Sequence, residues 1–257
     1  MRFFIWALIG LASTPSAWAD SVVRFEQGKA WDPQKKRVLY TESHWTRYVG
    51  KAPVERTVLY QCANGTPFAR KEISYSLSAL APAFSFRDVR HEYQEGLRWQ
   101  NGSPLVWHVK NGVRSDKPLT KKANLVADAG FDEFIKLRWS TLTSDGRHTL
   151  NFALPSRLNS YGFKLQDSGK TVYRNEQAQS FTLGLEGLLG LIAPDIEVLY
   201  SKDSRRLLRF KGISNIRDDS GKDQIDTLIE FPLKDTIVKP SEKTQAQSVM
   251  LKSCQVI

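Results

Sequence analysis

Histidine, cysteine and methionine are scarce in this chain of 257 residues, which has four, two and two of them. His44, His91, His108 and His148 are scattered, and none stands two or four positions from another histidine or from a cysteine, so the usual spacings of a metal site are missing. Cys62 and Cys254 lack the C-x-x-C spacing of a redox pair. There is no G-x-S-x-G nucleophile elbow. Ser168-Gly169-Lys170-Thr171 looks like the end of a phosphate-binding loop, but position 164 is Lys where that loop needs its first glycine. Asp132 and Glu133 are adjacent, and adjacent helical residues do not share a face, so they read as charges at a helix start rather than as an acid and its base. Asp218-Asp219 lacks the rest of a calcium loop. No catalytic, metal or cofactor motif is left, and the expectation is a protein with no cofactor and no metal. The chain also has no low-complexity block, no internal repeat and only one strongly apolar leader-like run.

That run comes first. Arg2, the apolar stretch Phe3 to Leu11, and Ala17-Trp18-Ala19 have the three-part layout of a secretory signal peptide. It is too short for a permanent span, so cleavage is expected near Ala19, with a periplasmic or secreted product that is not an integral membrane protein. No cysteine follows directly, so no lipid attachment is expected. The division expected is a signal peptide at 1–19 and a single β-rich domain at 20–257.

The chain holds 37 Lys and Arg against 27 Asp and Glu, a net charge of +10, of which the leader supplies only Arg2. In an exported protein such a surface favours anionic envelope surfaces; nucleic acid is not an expected partner, because it belongs to another compartment. The two cysteines are an even count for an oxidising compartment and suggest one disulfide, Cys62 to Cys254, with two unrelated thiols as the alternative.

The dominant period is two. Leu105, Trp107 and Val109 alternate with Val106, His108 and Lys110, and Leu150, Phe152 and Leu154 alternate with Thr149, Asn151 and Ala153. Tyr161, Phe163, Leu165 and Phe181, Leu183, Leu185 follow the same rule. Further strands are expected at 37–46, 54–62, 68–76, 83–88, 195–200, 206–213 and 223–231. His44 and His108 fall on the polar side of their strands, where solvation is the ordinary outcome. Asn64-Gly65, Asn101-Gly102, Asn111-Gly112, Asp145-Gly146, Ser168-Gly169 and Ser220-Gly221 provide turns. One segment has the helical period instead: Phe131, Phe134, Ile135, Trp139 and Leu142 share a face over 128–143, with Asp128 as N-cap and Asp145-Gly146 as the end. The fold class expected is mainly β, a strongly curved antiparallel sheet forming a half-barrel or open barrel around an apolar interior, with one amphipathic helix as plug or lid.

The apolar run 188–194, broken by Gly190 and ended by Pro194, reads either as a buried crossing or as a loop touching lipid. In the second reading Leu188, Leu191 and Ile192 join Phe131, Phe134 and Trp139 as candidate ligand-binding residues for an apolar or lipid-like ligand. Residues 233–257 are more polar and read as an extended C-terminal arm fixed by Cys254.

The stretches Ala127 to Phe134, Leu154-Pro155-Ser156-Arg157-Leu158 with Tyr161-Gly162-Phe163, and Leu207 to Asp218 resemble a group of uncharacterised exported proteins of proteobacteria. That resemblance transfers no catalytic residue. The order of long early hairpins, one helix and late Leu-rich hairpins is similar in architecture to the half-barrels of periplasmic lipoprotein carriers. Three functions follow as expectations: binding of an apolar ligand, a structural or adaptor role with a filled core, and hydrolysis of envelope polymers.

Overall fold

The computed structural model describes residues 21–187 and 194–257. The expected signal peptide and the residues Leu188, Leu191 and Ile192 lie outside the described residues. Eight strands come first: β1 Ser21–Trp31, β2 Val38–Val49, β3 Ala52–Cys62, β4 Pro67–Ser74, β5 Ala83–Asp88, β6 Tyr93–Gln100, β7 Ser103–Lys110 and β8 Val113–Pro118. They are followed by β9 Leu125–Val126, helix α1 Gly130–Asp145, β10 Arg147–Leu154, β11 Asn159–Tyr173, β12 Glu176–Leu185, β13 Ile196–Ser201, β14 Leu207–Arg217 and β15 Gln224–Glu230. The short β16 Thr236–Val238 and helix α2 Pro240–Ser248 end the described elements.

The sixteen strands among the described residues belong to one sheet in the order β8 to β1, then β15 down to β9, with β16 beside β1. Every neighbouring pair is antiparallel except β9 and β10. This is the expected mainly β architecture: strands that follow one another along the chain pair with their neighbours and produce two meanders. β1 joins them, pairing with β2 along its length, with β16 at Val23↔Val238 and with β15 at Lys29↔Glu230. The sheet stays open, with β8 and β9 as its edges. Its curl is recorded by His108 on β7, whose Nδ1 lies 3.0 Å from the carbonyl of Pro155, in the 3-10 turn Pro155–Arg157 beyond β10.

Turn chemistry explains several connections. Asn101-Gly102 and Asn111-Gly112 have positive φ at both positions, the geometry of a two-residue hairpin. Ser168-Gly169 differs from expectation: it sits inside β11 as a bulge between Asp167 and Gly169, and the hairpin turns at Arg174-Asn175. Two adjacent non-glycine residues at positive φ carry no Gly signal, so the sequence placed the turn too early.

Helix α1 lies against the concave side of the sheet. Phe134, Ile135, Trp139 and Leu142 are buried with Leu150, Leu165, Phe181 and Tyr200, each such side chain contributing roughly 1.5–3 kcal/mol by leaving water. Gly130 begins the helix pressed on the backbone: a Cβ there would lie 2.0 Å from the carbonyl oxygen of Leu80. The left-handed Gly146 ends it, donating its N–H to Leu142. Asp128 is not the N-cap that was expected. Ala129 holds that position, while Asp128 sits at φ 45°, accepting hydrogen bonds from the Ala129 amide and the Lys71 ammonium.

The C-terminal segment is less extended than its polarity suggested, because Pro240 and Glu242 start α2, with the Glu242 carboxylate accepting from the Lys239 amide. Beyond it the chain is extended and tethered. The Arg70 guanidinium donates to the Val249 carbonyl, Lys252 N–H donates to Pro67, Cys254 is bonded to Cys62, and Asp219 accepts from the amides of Val256 and Ile257.

Candidate functional site

Strand register places an unexpected set of side chains on the concave face. Glu26, His44, Val58, Lys71, Phe86, Glu95 and His108 are successive cross-strand partners from β1 to β7 and therefore form one row on one face. Five of the seven are ionisable, although Lys71 and Glu95 are both buried. The interior is thus not the apolar hollow that the alternation suggested. His44 and His108 also lie on this inward face rather than on a solvated one. The misreading has a simple cause: in a closed-up sheet the polar phase of a strand can face inward as long as each group finds a partner.

The members of the row have partners, although Nδ1 of His44 is buried without one. Glu42 Oε2 lies 3.1 Å from His44 Nε2, and the Tyr93 hydroxyl donates to Glu95 at 2.7 Å. Lys71 pairs with Asp128 at 2.5 Å, with its ammonium 5.9 Å from the ring centroid of Phe86. Burial pushes the Glu95 carboxyl above its ordinary range, against the Tyr93 hydrogen bond and the positive charge of Lys71. Burial likewise pushes the phenols of Tyr40, Tyr60 and Tyr200 well up.

Helix α1 joins this network through Asp132. Its carboxylate accepts from Arg56 on β3 at 3.2 Å and from the Tyr200 hydroxyl on β13 at 2.7 Å, bridging the two meanders. Burial raises the Asp132 carboxyl, but Arg56, Lys136 and the Tyr200 hydrogen bond outweigh it and hold the group below the usual carboxylate range. Asp132 is therefore a buried ion-pair partner as well as a first-turn charge; Glu133 pairs with Lys136. A cleft of about 40 Å³ opens beside it, lined by Arg24, Glu26, His44, Arg56, Lys136 and Arg206 among others. Arg24 pairs with Asp235 and Arg206 with Glu26, so the positive charge there is largely matched.

The candidate ligand residues fall into different environments. Phe134 and Trp139, 3% and 8% exposed, are packed into the contact between helix and sheet, with Trp139 edge-on to Phe181 at 5.7 Å. Phe131 is half-buried. Its ring centroid is 6.1 Å from Phe152, which in turn is 6.0 Å from Phe163, and these two are also half-buried. The sequence reading missed Phe152 and Phe163 as companions of Phe131, although their alternation placed both on the helix-facing side. The ionisable row was missed too, and its signal was visible: Lys71 stands between Ala69 and Ile73, and Glu95 between Tyr93 and Leu97, each a charge in the apolar phase of its strand.

Among the described residues no group of His, Cys, Asp and Glu is arranged to hold a metal ion, and no helix is long and apolar enough to cross a membrane. No protein-family model matches the chain, and no curated protein matches it. Among solved structures, a Brucella abortus protein titled "Beta-barrel-like Protein of Domain of Unknown Function DUF1849" is similar at 8% identity with a TM-score of 0.43, over 85% of this chain and 98% of that one.

Proposed function

We propose that the protein is an exported, non-enzymatic binding protein of the cell envelope that takes the apolar part of a lipid-like ligand at the rim between α1 and the sheet. The observation that supports this is the row Phe131, Phe152 and Phe163, three aromatic rings in sequence that all keep part of their surface open. Such a row offers contact area at little conformational cost. The surplus of Lys and Arg adds attraction for an anionic headgroup. Leu188, Leu191 and Ile192 belong to the same reading as further apolar contacts. Titration with the uncharged fluorophore N-phenyl-1-naphthylamine tests it. Saturable enhancement should occur in the wild type and be lost in Phe131→Ser/Phe152→Ser with circular dichroism unchanged. Equal enhancement in both proteins would refute the rim.

A second reading, an envelope adaptor, is favoured by β8, whose side chains are exposed at all positions but one on an edge of the sheet. Isolation from envelope extract with a stoichiometric protein partner and no lipid would support it over the first.

A further inference from the structure

A second cleft, of about 200 Å³, lies at the far end of β14 from the first and has a very different charge balance. Its lining includes His108, Lys110, Arg157, Arg217, Lys222 and Asp223. Four permanent cations thus face one carboxylate. None of the four is ion-paired among the described residues, whereas Arg24, Arg56 and Arg206 at the other cleft each have an acidic partner. The volume is far above the about 10–15 Å³ that admits a single water.

The cations converge here because the sheet curls. β7 supplies His108 and Lys110, the 3-10 turn after β10 supplies Arg157, and the β14–β15 hairpin supplies Arg217 and Lys222. Two members are held in place. The Arg217 guanidinium stacks over the Tyr93 ring at 4.6 Å and donates to the Lys222 carbonyl at 2.9 Å, which fixes its position at the cleft. His108 Nδ1 faces the Pro155 carbonyl, which can only accept, so Nδ1 carries the proton and Nε2 is the nitrogen left for the cleft.

We propose that this cleft binds a phosphate monoester dianion. A dianion matches a net surplus of positive charge that a single carboxylate would leave largely uncompensated, and two guanidinium forks suit the geometry of phosphate oxygens. The same chemistry is offered by a phosphate-bearing lipid headgroup and by a soluble phosphorylated molecule. The site does not depend on the aromatic rim, and either can fail alone.

Calorimetric titration of the full exported chain with inorganic phosphate at low salt provides the test. Saturable binding is expected, weakening as sodium chloride is added. Lys110 and Arg157 are exposed, so Lys110→Ala/Arg157→Ala should fold normally and bind at least about tenfold more weakly. Asp223→Asn should bind a few-fold more tightly. Absent binding in the wild type, or unchanged affinity in the double variant, would overturn the proposal. Cosedimentation with phosphatidylcholine vesicles with and without phosphatidic acid separates the sources. Capture by phosphatidic acid that inorganic phosphate competes away assigns the headgroup, and phosphate binding without capture assigns the soluble molecule. Capture that phosphate cannot compete would count against the cleft.

Discussion

Arg56 and Asp132 stand 76 positions apart in the chain and 3.2 Å apart in the interior, where the guanidinium of β3 meets the first turn of α1. Both side chains are mostly withdrawn from water, at 8% and 19% exposure. Removing one partner leaves the other charge buried and uncompensated, which typically costs about 3–5 kcal/mol. Arg56→Ala and Asp132→Ala should each lose stability on that scale in urea unfolding. Arg56→Met/Asp132→Leu should recover most of it. Additive losses in the double variant would show that the pair does not act as a unit.

The Cys62–Cys254 bond joins residues 192 positions apart. Constraining so long a loop in the unfolded chain is worth roughly 5 kcal/mol at most by loop entropy, with 2–5 kcal/mol typical when a native bond is removed. Reduction, or Cys62→Ala/Cys254→Ala, should lower the melting temperature and speed hydrogen exchange first in residues 249–257. Unchanged exchange there would mean that Asp219, Arg70 and the Pro67 carbonyl suffice as tethers.

Glu95 couples the stability of the fold to pH. A carboxyl raised above its ordinary 4.5 by burial favours the protonated fold, so stability is full below that value and is lost as pH rises through the folded-state value. Glu95→Gln keeps a hydrogen-bonding group beside Tyr93 and removes the buried charge. Its melting temperature should exceed that of the wild type at neutral pH, the gain shrinking toward pH 4.5. A variant less stable than the wild type at neutral pH would refute this.

Glu55 responds the other way. Hydrogen bonding from Arg47, reinforced by Lys243 of α2, holds its carboxyl down at about 2. Stability from this group is present above its ordinary 4.5 and is lost as pH falls toward 2. Because Glu55 is 43% exposed, solvent screens the effect, and the change should be local. Protection of the α2 amides, measured relative to their intrinsic exchange rates at each pH, should fall on acidification, and Glu55→Gln should remove that dependence.

The strands and the helix were legible because each carries its own period. Leu150, Phe152 and Leu154 alternate as a half-buried strand must, and Phe131, Phe134, Ile135 and Trp139 repeat as a helix packed on one side. The ionisable row was harder to see. Lys71 and Glu95 occupy apolar phases of their strands; Tyr93 stands two residues before Glu95 on the same strand, but Asp128, the partner of Lys71, is 57 positions away and is brought to it only by the fold. The cationic cleft needs three segments far apart in sequence, so no single window contains it. Asp128 shows the same limit: its residue type suits an N-cap, yet the ammonium of Lys71 from β4 draws it into another role.

The place of β1 between the two meanders also sets the order in which the molecule can assemble. Each meander winds from strands that follow one another along the chain and can condense locally. Their junction requires residues such as Lys35 and Glu230, 195 positions apart, to meet, and contacts of that span carry the largest closure entropy and form slowly. β15 grips β1 through only three residue pairs, so this junction should zip last and part first. Oxidation of Cys62 and Cys254 turns a distant encounter between the end of the chain and β3 into a tethered one, which makes the chemistry of the compartment a participant in folding as well as in stability.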